Sequence, residues 1–158
     1  MDKHEEVLVS IRQIIRAIDL HSKKLNKESG LTAPQVILMR AINELQNVTI
    51  KQLSNYTNMS QATATTILDR LERNKFVERR RSLEDKRKVH AVLTEQGKAV
   101  LLSAPTPLQE HFIARFQQLE DWEQGLLLSS VQRISSMMNA EEIEVAPVLE
   151  IGSITQTD

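Results

Sequence analysis

Within residues 50–93 the spacing of apolar residues changes from a helical repeat to a two-residue repeat, and this switch restricts the fold more than any other feature of the sequence. Thr49 and Gln52 have the spacing of a capping box, so a short helix is expected from about Ile50 to Tyr56. Thr57-Asn58-Met59 reads as a turn, and Ser60 as the cap of a further helix. That helix carries Ala64, Ile67, Leu68 and Leu71 at i, i+3, i+4 and i+7, one apolar stripe. The period then falls to two. Val77-Glu78-Arg79-Arg80-Arg81 is expected to be a strand, and Val89, Ala91 and Leu93 alternate with Lys88, His90 and Val92 in a second. Ser82-Leu83-Glu84-Asp85-Lys86-Arg87 joins them as a charged loop. Two helices across a tight turn, followed by a basic-tipped hairpin, predict a winged helix-turn-helix.

Helical patterns flank this unit. Val7, Ile11, Ile14, Ile18 and Leu25, with Leu8 and Ile15, form a wide stripe on a helix expected from about 5 to 27, ended at Gly30. Thr32-Ala33-Pro34-Gln35 is a helix start, with Thr32 as cap and Gln35 reaching back. Thr94 is expected to cap another helix, which Pro105 and Pro107 break. The spacing predicts a restart with Thr106 as cap, Pro107 first and Gln109 third in the helix, and a last helix capped by Asp121. The fold class is therefore mainly α, a winged helix-turn-helix at 32–94 with a β-hairpin wing, plus a helical dimerisation region at 5–27 and 95–140. The terminal stripes hold more apolar surface than a small winged core can cover, which points to a second copy of the chain. The acidic tail, 141–158, is expected to be flexible or to fold against a partner.

Composition narrows the function. The chain has no cysteine, which removes disulfides, thiolate metal sites and thiol redox sensing, and fits a cytoplasmic protein. No apolar run reaches the length of a membrane span. His4, His21, His90 and His111 lack metal-ligand spacing, no nucleotide or nucleophile motif is present, and no cofactor or enzymatic activity is expected. Net charge is −1, yet nine basic and five acidic residues lie between Ser60 and Thr94. A local cationic patch on an acidic body suits a protein that meets phosphates at one face.

Four stretches resemble the MarR (multiple antibiotic resistance regulator) family: Gly30-Leu31-Thr32-x-x-Gln35; Leu53 with Met59-Ser60; Ile67-Leu68-Asp69-Arg70-Leu71-Glu72; and Asp85-x-Arg87 followed by Leu93-Thr94-x-x-Gly97. The likeness covers about residues 5–140. It implies a homodimer with interlocked terminal helices, palindromic DNA sites and a small-molecule effector. LHSKKLNKESGLTAPQ is similar to regulators linked to compatible-solute (ectoine) genes. Two departures stand out. Asn74-Lys75 replaces a frequent glycine after the recognition helix, with Asn74 expected to take the left-handed conformation, and the double proline interrupts a helix that is often long.

The expected function is a DNA-binding transcription regulator, a repressor, reading double-stranded DNA as a homodimer. The alternative is a winged-helix protein-interaction module. Gln61, Ala62, Thr63, Thr65, Thr66 and Arg70 form the small polar face that a major groove admits, with Ser60 at a phosphate. Arg87 at the hairpin tip suits a minor groove. Asp85 is expected to orient Arg87 or a neighbouring arginine, and Lys86, Lys88 and Arg79–Arg81 to meet the backbone, with at least one of those three arginines structural. An effector pocket between arm and reading head would draw on His21, Met39, Arg40 and Phe112, although an ordinary satisfied or exposed histidine is the commoner reading of His21.

Overall fold

The computed structural model describes residues 2–145 and 148–150. In chain order the elements are α1 (Lys3–Ser29), α2 (Ala33–Leu45), β1 (Val48–Thr49), α3 (Ile50–Thr57), α4 (Gln61–Arg73), β2 (Val77–Arg81), β3 (Val89–Leu93), α5 (Glu95–Ser103), α6 (Leu108–Phe116) and α7 (Asp121–Met137). Local chemistry explains most of the boundaries. Thr32 and Gln35 close a capping box on α2, and Thr49 and Gln52 do the same on α3. Ser60 accepts the Thr63 N–H at 3.0 Å, and Thr94 accepts the Gly97 N–H at 2.9 Å. Asn58 turns the chain between α3 and α4 with φ 56°, and Ser54, buried, donates to the Met59 carbonyl across that turn.

β2 and β3 pair antiparallel from Val77↔Leu93 to Arg81↔Val89. The sequence marks Val48-Thr49 only as a β-branched approach to α3. In the structure it is a third strand, with Val48 opposite Ala91 and Thr49 opposite His90, so the sheet order is β1-β3-β2. This ladder anchors the root of the hairpin to the start of the helix-turn-helix. The core is built from Leu31, Val36, Leu38, Met39, Leu53, Leu68, Leu71 and Val77, each no more than 1% exposed, with Met59, Ala64, Ile67, Ala91 and Leu93 around them. Burying a side chain of this size contributes about 1.5–3 kcal/mol, so this segment holds most of the chain's packing energy.

Three helix-end expectations are corrected. Lys75, not Asn74, takes the left-handed conformation: Asn74 has φ −82° and Lys75 φ 63°. The Lys75 N–H to Glu72 and Phe76 N–H to Leu71 bonds close a Schellman turn, which puts the left-handed residue one place later. Pro107, not Thr106, precedes α6. Its carbonyl accepts the first helical bond, from Glu110 at 3.1 Å, while the Gln109 side chain accepts the Leu149 N–H instead. Glu120, not Asp121, caps α7 through a capping box with Glu123. The partner Asp121 needed, Gln124, donates instead to the carbonyls of Phe116 and Leu119.

The terminal helices differ in kind from the core. Leu25 is the buried residue of α1, and neither α6 nor α7 buries any. Val7, Leu8, Ile14 and Ile15 on α1 are exposed, as are Phe112 and Ile113 on α6 and Trp122, Leu126, Leu127, Leu128 and Val131 on α7. The Arg40–Glu110 ion pair ties α2 to α6. Of the acidic tail, Val148 is buried in the core cluster; residues 146, 147 and 151–158 lie outside the described residues.

Candidate nucleic-acid interface

α4 divides cleanly between two jobs. Ala64, Ile67, Leu68 and Leu71 are buried, and this face docks the helix on α2 and α3. Gln61, Ala62 and Thr66 are exposed, and Thr63, Thr65 and Arg70 are half-buried at the edges. Ser60 stands exposed at the amino end, where its hydroxyl donates to Thr63 Oγ1 at 2.8 Å. Thr66 returns its hydroxyl to the Ala62 carbonyl at 3.0 Å, which turns its methyl outward. The outer face is small, polar and free of bulky apolar groups, a shape that a major groove about 12 Å wide accepts.

The hairpin tip is organised by two side chains. Ser82 Oγ accepts the N–H of Glu84 at 3.2 Å and of Asp85 at 3.3 Å, and the Lys88 N–H closes the loop on the Asp85 carbonyl at 2.9 Å. Asp85 Oδ1 then accepts the Arg87 N–H at 3.0 Å and lies 3.5 Å from Arg87 Nε. The Arg87 side chain is 94% exposed, so its charge is aimed and solvated at once. Lys86, Lys88 and Arg81 are exposed on the same hairpin.

Arg79 has another position. Its side chain is 23% exposed and forms ion pairs with Asp69 and Glu72 of α4; Arg79 Nε lies 3.1 Å from Glu72 Oε2. The Arg79 N–H also donates to Glu72 at 3.2 Å. Asp69 first, and Glu72 with it, hold the guanidinium more firmly protonated than an ordinary arginine. The hairpin is thus clamped to the polar helix from below. Its neighbour Arg80 pairs with Glu78 on the same strand.

The MarR family model matches residues 31–89, the span from the entry of α2 to the start of β3. Similarity extends beyond that match. The HTH-type transcriptional regulator YsmB of Bacillus subtilis (strain 168) is 26% identical over 129 residues, covering 82% of this chain and 88% of the relative. SarZ of Staphylococcus aureus (strain USA300), another HTH-type transcriptional regulator, is 34% identical over 92 residues, 58% of this chain and 60% of its own length. Among solved structures, the transcriptional regulator BldR from Sulfolobus solfataricus superposes with a TM-score of 0.54 at 27% identity, over 87% of this chain and 99% of BldR. The chain is a DNA-binding transcription regulator, and the protein-interaction alternative finds no support among these relatives.

The four residues expected to line an effector pocket are not brought together. Met39 is fully buried in the core, Arg40 is engaged by Glu110, and Phe112 is exposed with its ring 5.4 Å from Phe116. His21 borders a cavity of about 130 Å³ between α1, the start of α2 and the 105–108 turn, and Arg40 borders a separate, more open one with Leu101 and Leu102 of α5. The other walls of the His21 cavity include Leu25, Ala33, Leu108 and His111, and Leu149 of the tail. Sequence reasoning missed His111 and Leu149 there. His111 follows the proline break at helical spacing and could have been found; Leu149 lies in a stretch with no periodic signal.

Proposed function

We propose that the protein is a homodimeric repressor that reads pseudo-palindromic duplex DNA, with α4 of each subunit in the major groove and each wing in the flanking minor groove. The carrying observation is the pairing of an exposed polar α4 face with an outward guanidinium, Arg87, on a hairpin locked to that helix by Arg79. Bases are read at the amino end of such a helix, and an arginine is drawn into a narrow minor groove by its negative potential. Ser60, Gln61, Ala62, Thr63, Thr65, Thr66 and Arg70 carry the major-groove side. Arg87 carries the minor-groove side, with Arg81, Lys86 and Lys88 on phosphates, while Asp85 and Arg79 position their neighbours.

Two-fold symmetry comes from the arm. The exposed apolar faces of α1, α6 and α7 exceed what a soluble monomer leaves in water, and a second copy covers them. The cavity beside His21 is smaller than the roughly 300 Å³ from which small-molecule sites usually start, so an effector acts by opening it. Such an effector releases DNA only by preferring the state that cannot bind. A cysteine-free chain acting on DNA works in the cytoplasm. Residues 20–35 support a place among regulators of compatible-solute genes.

Footprinting of the purified protein on genomic DNA tests this reading. The expected result is an inverted repeat with half-sites about one helical turn apart, beside the regulated genes. Isolated, non-symmetric sites would refute the dimeric reading.

A further inference from the structure

We propose that the acidic C-terminal segment is a built-in inhibitor of DNA binding, seated by Val148 and Leu149 so that Glu150 lies on the flank of the recognition helix. The inference rests on the DNA-reading role of α4. Three consecutive residues carry it, each anchored on a different part of the molecule. Val148 is 6% exposed and belongs to the core cluster. The Leu149 N–H donates to Gln109 Oε1 of α6 at 2.8 Å, and the Leu149 residue forms one wall of the cavity beside His21. Glu150 lines a crevice with Thr32, Gln35, Thr66, Ile67 and Arg70, between the amino end of α2 and the polar face of α4.

The placement has an electrostatic consequence. Thr66 and Arg70 belong to the helix face that meets DNA, and Glu150 places a carboxylate in the crevice they share. DNA presents one negative charge per about 1.7 Å of helix axis, so a carboxylate on this flank opposes approach. The burial of Glu150 raises its carboxyl above the ordinary glutamate range, as expected of a group drawn into the crevice. The same segment runs from the arm to the reading head. Displacing Leu149 from the cavity wall therefore frees Glu150 from α4, which gives a ligand at that cavity a route to the DNA-binding face.

The test uses the full chain, a truncation after Val145 and Glu150→Gln, with a fluorescent duplex of mixed sequence about 30 base pairs long, some three helical turns. Anisotropy titrations are run at low and at physiological salt. Glu150→Gln keeps Val148 and Leu149 in place, so it removes the charge without loosening the fold. Both variants are expected to bind about three- to tenfold tighter than the parent at low salt, with the gap narrowing as salt screens it. Parental affinity in both variants, with the parent itself binding, would overturn the inhibitory role and leave the DNA-reading role standing. Absence of binding by all three proteins would overturn both.

Discussion

The carbonyl oxygen of Phe76 lies 2.1 Å from the point where a Cβ on residue 97 would be, so α5 and the root of the wing meet at a distance that only glycine allows. Around this contact the Thr94 N–H donates to the Phe76 carbonyl at 3.0 Å, and the Thr94 hydroxyl to the Lys75 carbonyl at 2.7 Å. The Leu93-Thr94-x-x-Gly97 pattern thus records a backbone approach. It joins the end of α4 to the start of α5 and holds the strands between them. Gly97→Ala must push the Phe76 backbone away, and a loss of about 1–3 kcal/mol is expected. A denaturant midpoint unchanged from the parent would contradict this.

Lys75 occupies a left-handed conformation that costs an L-residue roughly 1 kcal/mol and costs glycine little. It is exposed, and its N–H bond to Glu72 is a backbone contact that any residue except proline keeps. Lys75→Gly is expected to raise stability by about 0.5–1 kcal/mol, read as a higher melting temperature.

Arg79 and Arg87 sit on one hairpin and are expected to fail differently. Arg87→Ala removes the charge proposed to meet DNA. Operator affinity should fall more than tenfold, with the log–log salt slope shallower by about one, while the dimer stays intact. Arg79→Ala breaks the ties to Asp69 and Glu72, which are partly solvated and worth about 1 kcal/mol in stability. Its affinity loss should come with an unchanged salt slope, because the lost cation did not touch phosphate. Equal slopes for both variants would remove the distinction.

Val131 is 64% exposed on α7, so Val131→Asp disturbs little within the chain. A charge at that point in a subunit interface would be buried unpaired, at a cost of several kcal/mol. Sedimentation equilibrium should show the mass halved, with the melting of the winged helix little changed. A variant that still sedimented as a dimer would place the interface elsewhere.

Glu150 gives the tail a pH dependence of definite sign. Its pKa is raised by burial, so the seated form binds a proton more tightly than the released form. Seating is fully supported below the ordinary glutamate value of 4.5 and weakens as pH rises through the raised value. Arg70 is the charged group that shares the crevice, and the side chains of Thr32, Gln35 and Thr66 there carry no charge. The Leu149 amide should therefore show more protection from hydrogen exchange near about pH 5 than near about pH 8, after correction for intrinsic rates. Glu150→Gln should abolish the difference.

Features decided by neighbours along the chain could be read from the sequence. The starts of α2 and α3 follow from Thr32 with Gln35 and Thr49 with Gln52, and the split of α4 follows from the spacing of Ala64, Ile67, Leu68 and Leu71. Features decided by distant partners could not. Val48 became a strand because Ala91 lay opposite it, Gln109 left its helix end for Leu149, and Gln124 was taken by Phe116 and Leu119. Arg79 and Arg87 are the same residue type on one hairpin. What separates them is the pair of carboxylates one helix away, and no local pattern carries that.

Since α6 and α7 bury nothing of their own, a lone subunit gains almost no packing energy from keeping these helices formed. Isolated helices of nine and seventeen residues are marginal in water. In the proposed homodimer, ordering of the arm and pairing of subunits become a single event, governed by how much protein the cell contains. Below that level the reading heads of the proposed dimer would stand apart, each offering one half of the grip that a two-fold site requires. The amount of protein made would thus set a threshold for regulation before any ligand is sensed.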